Sequence, residues 1–153
     1  MNDRDLRPED RILSAGSGTL GCLAPVAKVL DDTFGLRQAL ITVVHSYTAD
    51  QRILDLPHAD LRRARAAGQS MIPTASSAPG ALAQVLPHLA GRVEGIAVRV
   101  PTPDVSLLEC TVRLERETTP EAVNAAFTAA AEGPLAGLVA VLDEELVSAD
   151  LVG

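Results

Sequence analysis

A glycine-rich loop that turns directly into a helix places the strongest constraint on this chain. Gly16-Ser17-Gly18-Thr19-Leu20-Gly21-Cys22-Leu23-Ala24-Pro25 joins the short apolar stretch Ile12-Leu13 to a helical run ending near Phe34. Three glycines permit close backbone approach, and the first amides of a helix face whatever lies beside them. Gly16, Gly18 and Gly21 spell G-x-G-x-x-G, the dinucleotide fingerprint. That fingerprint also needs an acidic residue closing the next strand, about 20 residues on, to hold a ribose hydroxyl. The next strand here, Ala39-Leu40-Ile41-Thr42-Val43-Val44, closes with His45. The nucleotide reading lacks its second half, and no cofactor is expected.

A chain of 153 residues can bury one substantial core without disulfide or metal support. Aromatic residues make up only 2% against 47% hydrophobic, so that core is aliphatic and alanine-rich. The formal charge of −7, with no basic stripe interleaved with aromatics, argues against nucleic acid. Cys22 and Cys110 read as reduced thiols of a cytoplasmic protein, because no secretory pattern precedes them. No apolar run approaches the roughly 18 residues of a membrane span. Residues 1–11 are charged and read as a flexible N-terminus, leaving 12–153 as one domain.

Along the chain, a helix is expected over 22–34, with Pro25 in its first turn and Gly35 as its stop. Residues 36–47 read as a strand, 48–71 as a long polar loop, and Ile72-Pro73 as the start of a connector. A short helix follows over 79–89. Strands at Gly95–Pro101 and Val105–Glu115 are joined by Pro101-Thr102-Pro103-Asp104 as their turn. Thr119-Pro120 caps a helix running to Glu132 and ending at Gly133. Leu138–Leu142 and Glu145–Ser148 read as two more short strands. The fold class is α+β, with a mixed or mostly antiparallel sheet and helices on one face. The histidines at 45, 58 and 88 have no metal-ligand spacing, so no metal is expected.

Several stretches follow one another in a specific order: 22–30 (Cys-Leu-Ala-Pro-Val-Ala-Lys-Val-Leu), 44–48 (Val-His-Ser-Tyr-Thr), 50–58 (Asp-Gln-Arg-Ile-Leu-Asp-Leu-Pro-His), 60–67 (Asp-Leu-Arg-Arg-Ala-Arg-Ala-Ala), 99–106 (Arg-Val-Pro-Thr-Pro-Asp-Val-Ser) and 132–137 (Glu-Gly-Pro-Leu-Ala-Gly). In this order the chain resembles the catalytic domain of phosphorylating glyceraldehyde-3-phosphate dehydrogenase, its bacterial branch in particular. The resemblance runs over about residues 12–150.

That resemblance implies a site and also a departure from it. The family's opening loop reads Ser-Cys-Thr-Thr-Asn-Cys, and its first cysteine is the nucleophile; here Gly18 takes that place. Cys22, one turn on, corresponds to a second, buried cysteine and reads as inert; Cys110 reads as core. The resemblance also implies that the family's nucleotide-binding domain and its final strands and helix are missing, so dehydrogenase activity is expected to be absent. His45 takes the place of the general base. Arg99, Thr48, Asp50, Thr19, Ser76, Arg63 and Arg65 match or nearly match the substrate and phosphate contacts around Gly18. Ser76-Ser77 and Pro79-Gly80 depart from the family's Thr-Gly and Ala-Lys. Each residue has a plainer role open to it: a hydrogen-bonded strand end for His45, an ion pair for Arg99, a solvated or subunit-contact face for Arg63 and Arg65, loop structure for His58 and a surface position for His88.

Two functions follow. One is a cofactor-independent enzyme acting on a small anionic or oxygenated metabolite by isomerisation, cyclisation, elimination or hydrolysis, with His45 as general acid or base. The other is a non-catalytic pseudoenzyme that binds a ligand or docks on a partner enzyme. Either is expected as a homo-oligomer, a two-fold dimer first, because an uncovered apolar face is a liability in a monomer.

Overall fold

The computed structural model describes residues 1–152. Ser17 is extended, and its hydroxyl accepts from the Leu20 amide at 3.2 Å, so the first helix, α1 (Gly18–Phe34), begins a turn earlier than expected. Pro25 consequently lies inside the helix rather than in its first turn. Its ring presses on the carbonyl four residues back, and that residue is Gly21, whose backbone has latitude to give. Gly35, at φ 76°, ends the helix and donates its amide to the Asp31 carbonyl at 2.8 Å.

The strands are β1 (Leu36–His45), β2 (Ile72–Thr74), β3 (Val93–Arg99) and β4 (Leu107–Leu114), in the order β2-β3-β1-β4. β2 runs antiparallel to β3, with Ile72 opposite Arg99. β1 and β3 run parallel: Ala39 donates to the Arg92 carbonyl at 2.8 Å, and further along both strands Val100 donates to the His45 carbonyl at 2.9 Å. β4 runs back along β1, with Glu115 donating to Gly35 at 2.8 Å. The chain is therefore α+β with a mixed sheet, as expected. Two further helices complete it, α2 (Ala78–Val85) and α3 (Pro120–Glu132).

The turn at 101–104 joins β3 to β4 as expected, with β1 lying between the two strands in the sheet. Three expectations need correction. The connector at Ile72 is a strand, since its amides and carbonyls find partners on the edge of β3. The helix over 79–89 is α2 followed by a separate 3₁₀ turn at Pro87–Leu89, because Pro87 cannot continue the helical ladder. No strand forms at 138–142 or 145–148 among the described residues; Leu138, Leu142 and Val147 are exposed, so the apolar pattern there has no sheet to join. α3 matches its expected limits, with Thr119 capping Ala122 at 3.3 Å.

The backbone groups into two compact units, one of residues 1–40, 77–94 and 111–143, the other of 41–76, 95–110 and 144–152. In the first, α1 packs against both α2 and α3, and Leu23, Leu36, Leu82 and Leu89 are wholly enclosed. Burying each such side chain contributes about 2 kcal/mol. Asp31 fastens the corner between α1 and β1: its carboxylate accepts from the Leu36 amide at 2.9 Å and meets His88 Nε2 at 2.8 Å. In the second unit Ile41, Val43, Ile72 and Ala97 are buried together with one polar side chain, Gln51. Gly95 is required there, since a Cβ at this position would overlap the carbonyl oxygen and Cγ1 of Ile41. No helix among the described residues is long and apolar enough to cross a membrane.

Candidate active site

His45 is the last residue of β1 and Arg99 the last of β3, and the parallel pairing of these strands puts both at the same end of the sheet. His45 is half-buried, and its Nδ1 lies 3.1 Å from the hydroxyl of Ser106. Desolvation lowers the His45 pKa below the ordinary imidazole value, and the positive charge of Arg99 lowers it further. Both effects favour the neutral ring, which keeps one nitrogen available to take a proton.

Arg99 is tethered through one end of its fork, Nη1 donating to the Ser46 carbonyl at 3.2 Å. Its Nε is buried and has no hydrogen-bond partner among the described residues. A buried guanidinium N–H without a partner is costly, and an oxyanion satisfies such a donor best.

Arg63 is committed differently. It is ion-paired with Asp50 and its Nη2 donates to Thr74 at 3.2 Å; its Nε, buried like that of Arg99 and without a hydrogen bond among the described residues, stands 3.5 Å from the Asp60 carboxylate. His58 Nε2 lies 3.8 Å from the same Asp50. Asp50 and Arg63 therefore act first as a clasp that shapes the loop 48–71. Arg65 donates to Asp55 at 3.2 Å and lines a shallow hollow of about 270 Å³ with Arg62, Met71 and Pro73. The Asp55 carboxyl is held low by the Ala66 amide and by Arg65. Thr48 is exposed; its amide donates to Gln51 Oε1 at 3.1 Å and its carbonyl accepts from the Gln51 amide at 3.0 Å. Ser76 is half-buried just before α2.

Gly18 and Thr19 belong to the first unit, in the opening turn of α1. Among the described residues, a Cβ at Gly18 would meet nothing within 4 Å beyond its chain neighbours and its own helix backbone, so packing does not demand glycine there. A cavity of about 550 Å³ lies beside this turn, lined by Ser14, Gly16, Leu20, Gly21, Pro25 and Val85 among others. Cys22 is exposed rather than buried, with partial desolvation raising its thiol pKa, and Cys110 is half-buried rather than core. An exposed thiol held protonated is still a poor nucleophile.

Against known proteins, residues 17–153 match the family model described as glyceraldehyde 3-phosphate dehydrogenase, C-terminal domain. The chain belongs to the glyceraldehyde-3-phosphate dehydrogenase family. It is 56% identical over 142 residues to glyceraldehyde-3-phosphate dehydrogenase of Geobacillus stearothermophilus, covering 93% of this chain and 42% of that protein. It is 53% identical over 142 residues to glyceraldehyde-3-phosphate dehydrogenase 1 of Bacillus subtilis, with the same coverage of 93% and 42%. The chloroplastic glyceraldehyde-3-phosphate dehydrogenase A of Scenedesmus vacuolatus is 51% identical over 150 residues, 98% of this chain and 48% of that protein. The chain spans less than half the length of these curated relatives.

Two residues that shape the site in this family member carried no assigned role in the sequence. Gln51, 5% exposed, closes the first turn of the loop on Thr48 through its side chain. Ser106 faces His45 from a strained turn: Val105 has φ 67°, and its amide donates to Asp104 Oδ1 at 2.7 Å. A β-branched residue in that region costs about 1–3 kcal/mol and persists only where its surroundings hold it. The one available sequence signal was position, since both residues lie inside the stretches that carry the family resemblance.

Proposed function

We propose that this chain binds a small oxyanion-bearing metabolite at the common end of β1 and β3, and that His45 exchanges a proton with it in a non-redox, cofactor-independent reaction. The observation that carries this reading is Arg99: its buried Nε has no hydrogen-bond partner among the described residues, beside an imidazole that the same guanidinium helps to keep neutral. A phosphate or carboxylate on that donor would be held by a charge-assisted bond. The adjacent ring, neutral before binding, would then serve as general base, and as general acid once protonated. Isomerisation, cyclisation, elimination and hydrolysis all fit such a pair. Thioester chemistry at Gly18 does not, because glycine has no nucleophile. The test is calorimetric titration with inorganic phosphate and a panel of small phosphates and carboxylates. Arg99→Gln should abolish binding, whereas His45→Ala should keep the fold and the binding and lose any turnover.

The second reading is a non-catalytic module, a cytoplasmic homo-oligomer or a partner of another enzyme. It is favoured by the loop 48–71, a structured segment that nonetheless exposes Ile53, Leu54 and Leu61, Ile53 and Leu61 to more than 80%. Such apolar exposure on an internally bonded loop suits a protein contact. Sedimentation separates the readings: a dimer that persists in His45→Ala, with no anion affinity in either protein, supports the module.

A further inference from the structure

We propose that Ser106 is a positioning residue for His45: its hydroxyl accepts the Nδ1–H and leaves the Nε2 lone pair facing the ligand. This rests on the reading of His45 as a proton-transfer group. A neutral imidazole carries its proton on one of two nitrogens, and the hydrogen bond made by one decides what the other can do. Nδ1 and Ser106 Oγ are 3.1 Å apart, although 61 residues separate them in the chain. The connection bearing Ser106 is fastened to the end of β1 before it gets there: Val100 donates to the His45 carbonyl at 2.9 Å, and Tyr47 donates to Thr102 at 3.1 Å. Val105 then adopts φ 67°, with its amide taken by Asp104, and Ser106 follows. A left-handed valine next to the residue that meets His45 is the mark of a turn held in place by its neighbours.

The experiment is nitrogen-15 NMR of the histidine side chains in the full chain, recorded for wild type, Ser106→Ala and Ser106→Thr. His45 in the wild type should show the Nδ1–H tautomer. Ser106→Ala should move the tautomer ratio towards Nε2–H by about fivefold, the effect of one hydrogen bond, and Ser106→Thr should restore it. An Nε2–H tautomer in the wild type, or a ratio unchanged in Ser106→Ala, overturns the assignment. Adding inorganic phosphate to each protein separates this inference from the proposed function. A phosphate response at His45 together with a Ser106-independent tautomer discards the role of Ser106 and keeps the anion site. A Ser106-dependent tautomer without a phosphate response does the reverse.

Discussion

His45 and Arg99 end neighbouring parallel strands, and the charge of one bears directly on the protonation of the other. Burial and the guanidinium both disfavour the imidazolium, so the folded chain binds that proton less readily than the unfolded chain does. The stability contribution of His45 is therefore complete above the unfolded value near 6.5 and lost as pH falls below it. Asp31 and Asp55 are also held low and also lose stability on acidification, but only in the carboxylate range. Between pH 7.5 and 5.5 the urea midpoint of the wild type should fall, and that of His45→Gln should fall less. Equal slopes would contradict this assignment.

Asp31 should be a sensitive position in the first unit. Desolvation pushes its pKa up, but the Leu36 amide, His88 and Arg92 outweigh that and hold the carboxyl below its usual range. Asp31→Ala removes the partner of both the Leu36 amide and His88, and should cost about 2 kcal/mol in urea unfolding. His88→Ala should cost less, because the exposed histidine can be replaced by water whereas the amide bond is lost only with Asp31.

Gly95→Ala should be more damaging than a single methyl suggests. The added carbon would overlap the Ile41 backbone, which cannot move without disturbing β1. A loss of about 3 kcal/mol or failure to fold is expected. An alanine variant within about 0.5 kcal/mol of wild type, a shift typical of a surface substitution, would show that the strands separate easily there.

Gly18→Cys should be tolerated, in contrast. Among the described residues, nothing beyond its chain neighbours and its own helix backbone lies within 4 Å of the Cβ position, and replacing glycine reduces the freedom of the unfolded chain. Thermal unfolding should change by no more than about 0.5 kcal/mol, and mass spectrometry after iodoacetamide treatment should find the new thiol alkylated. A strong destabilisation would mean that glycine is structurally required at the head of α1.

The features readable in the sequence are those set by local chemistry. Thr119-Pro120 and Gly133 mark both ends of α3 because capping depends on residues within one turn. His45 stood out as the residue closing an apolar strand, whereas Arg99, inside the strand expected over Gly95–Pro101, was marked only by the family resemblance. Strand order was not readable: Pro101-Thr102-Pro103-Asp104 has the same composition whether it closes a hairpin or passes over β1. The three residues of β2 are too few to show a period, and the apolar residues over 138–148 alternate without a sheet to receive them. Ser106 and Gln51 are small or neutral polar residues, and their roles arise only when the turn at Val105 and the loop after Thr48 have closed.

Crystals soaked in inorganic phosphate and in a small carboxylate test the anion site proposed at Arg99, with His45 beside it. An ordered anion accepting from Arg99 Nε is expected, with the His45 ring turned towards it and the anion lost in Arg99→Gln. A wild-type crystal with no anion at Arg99, or with Nε covered by another protein group, would contradict it and direct attention to the exposed loop as a protein contact.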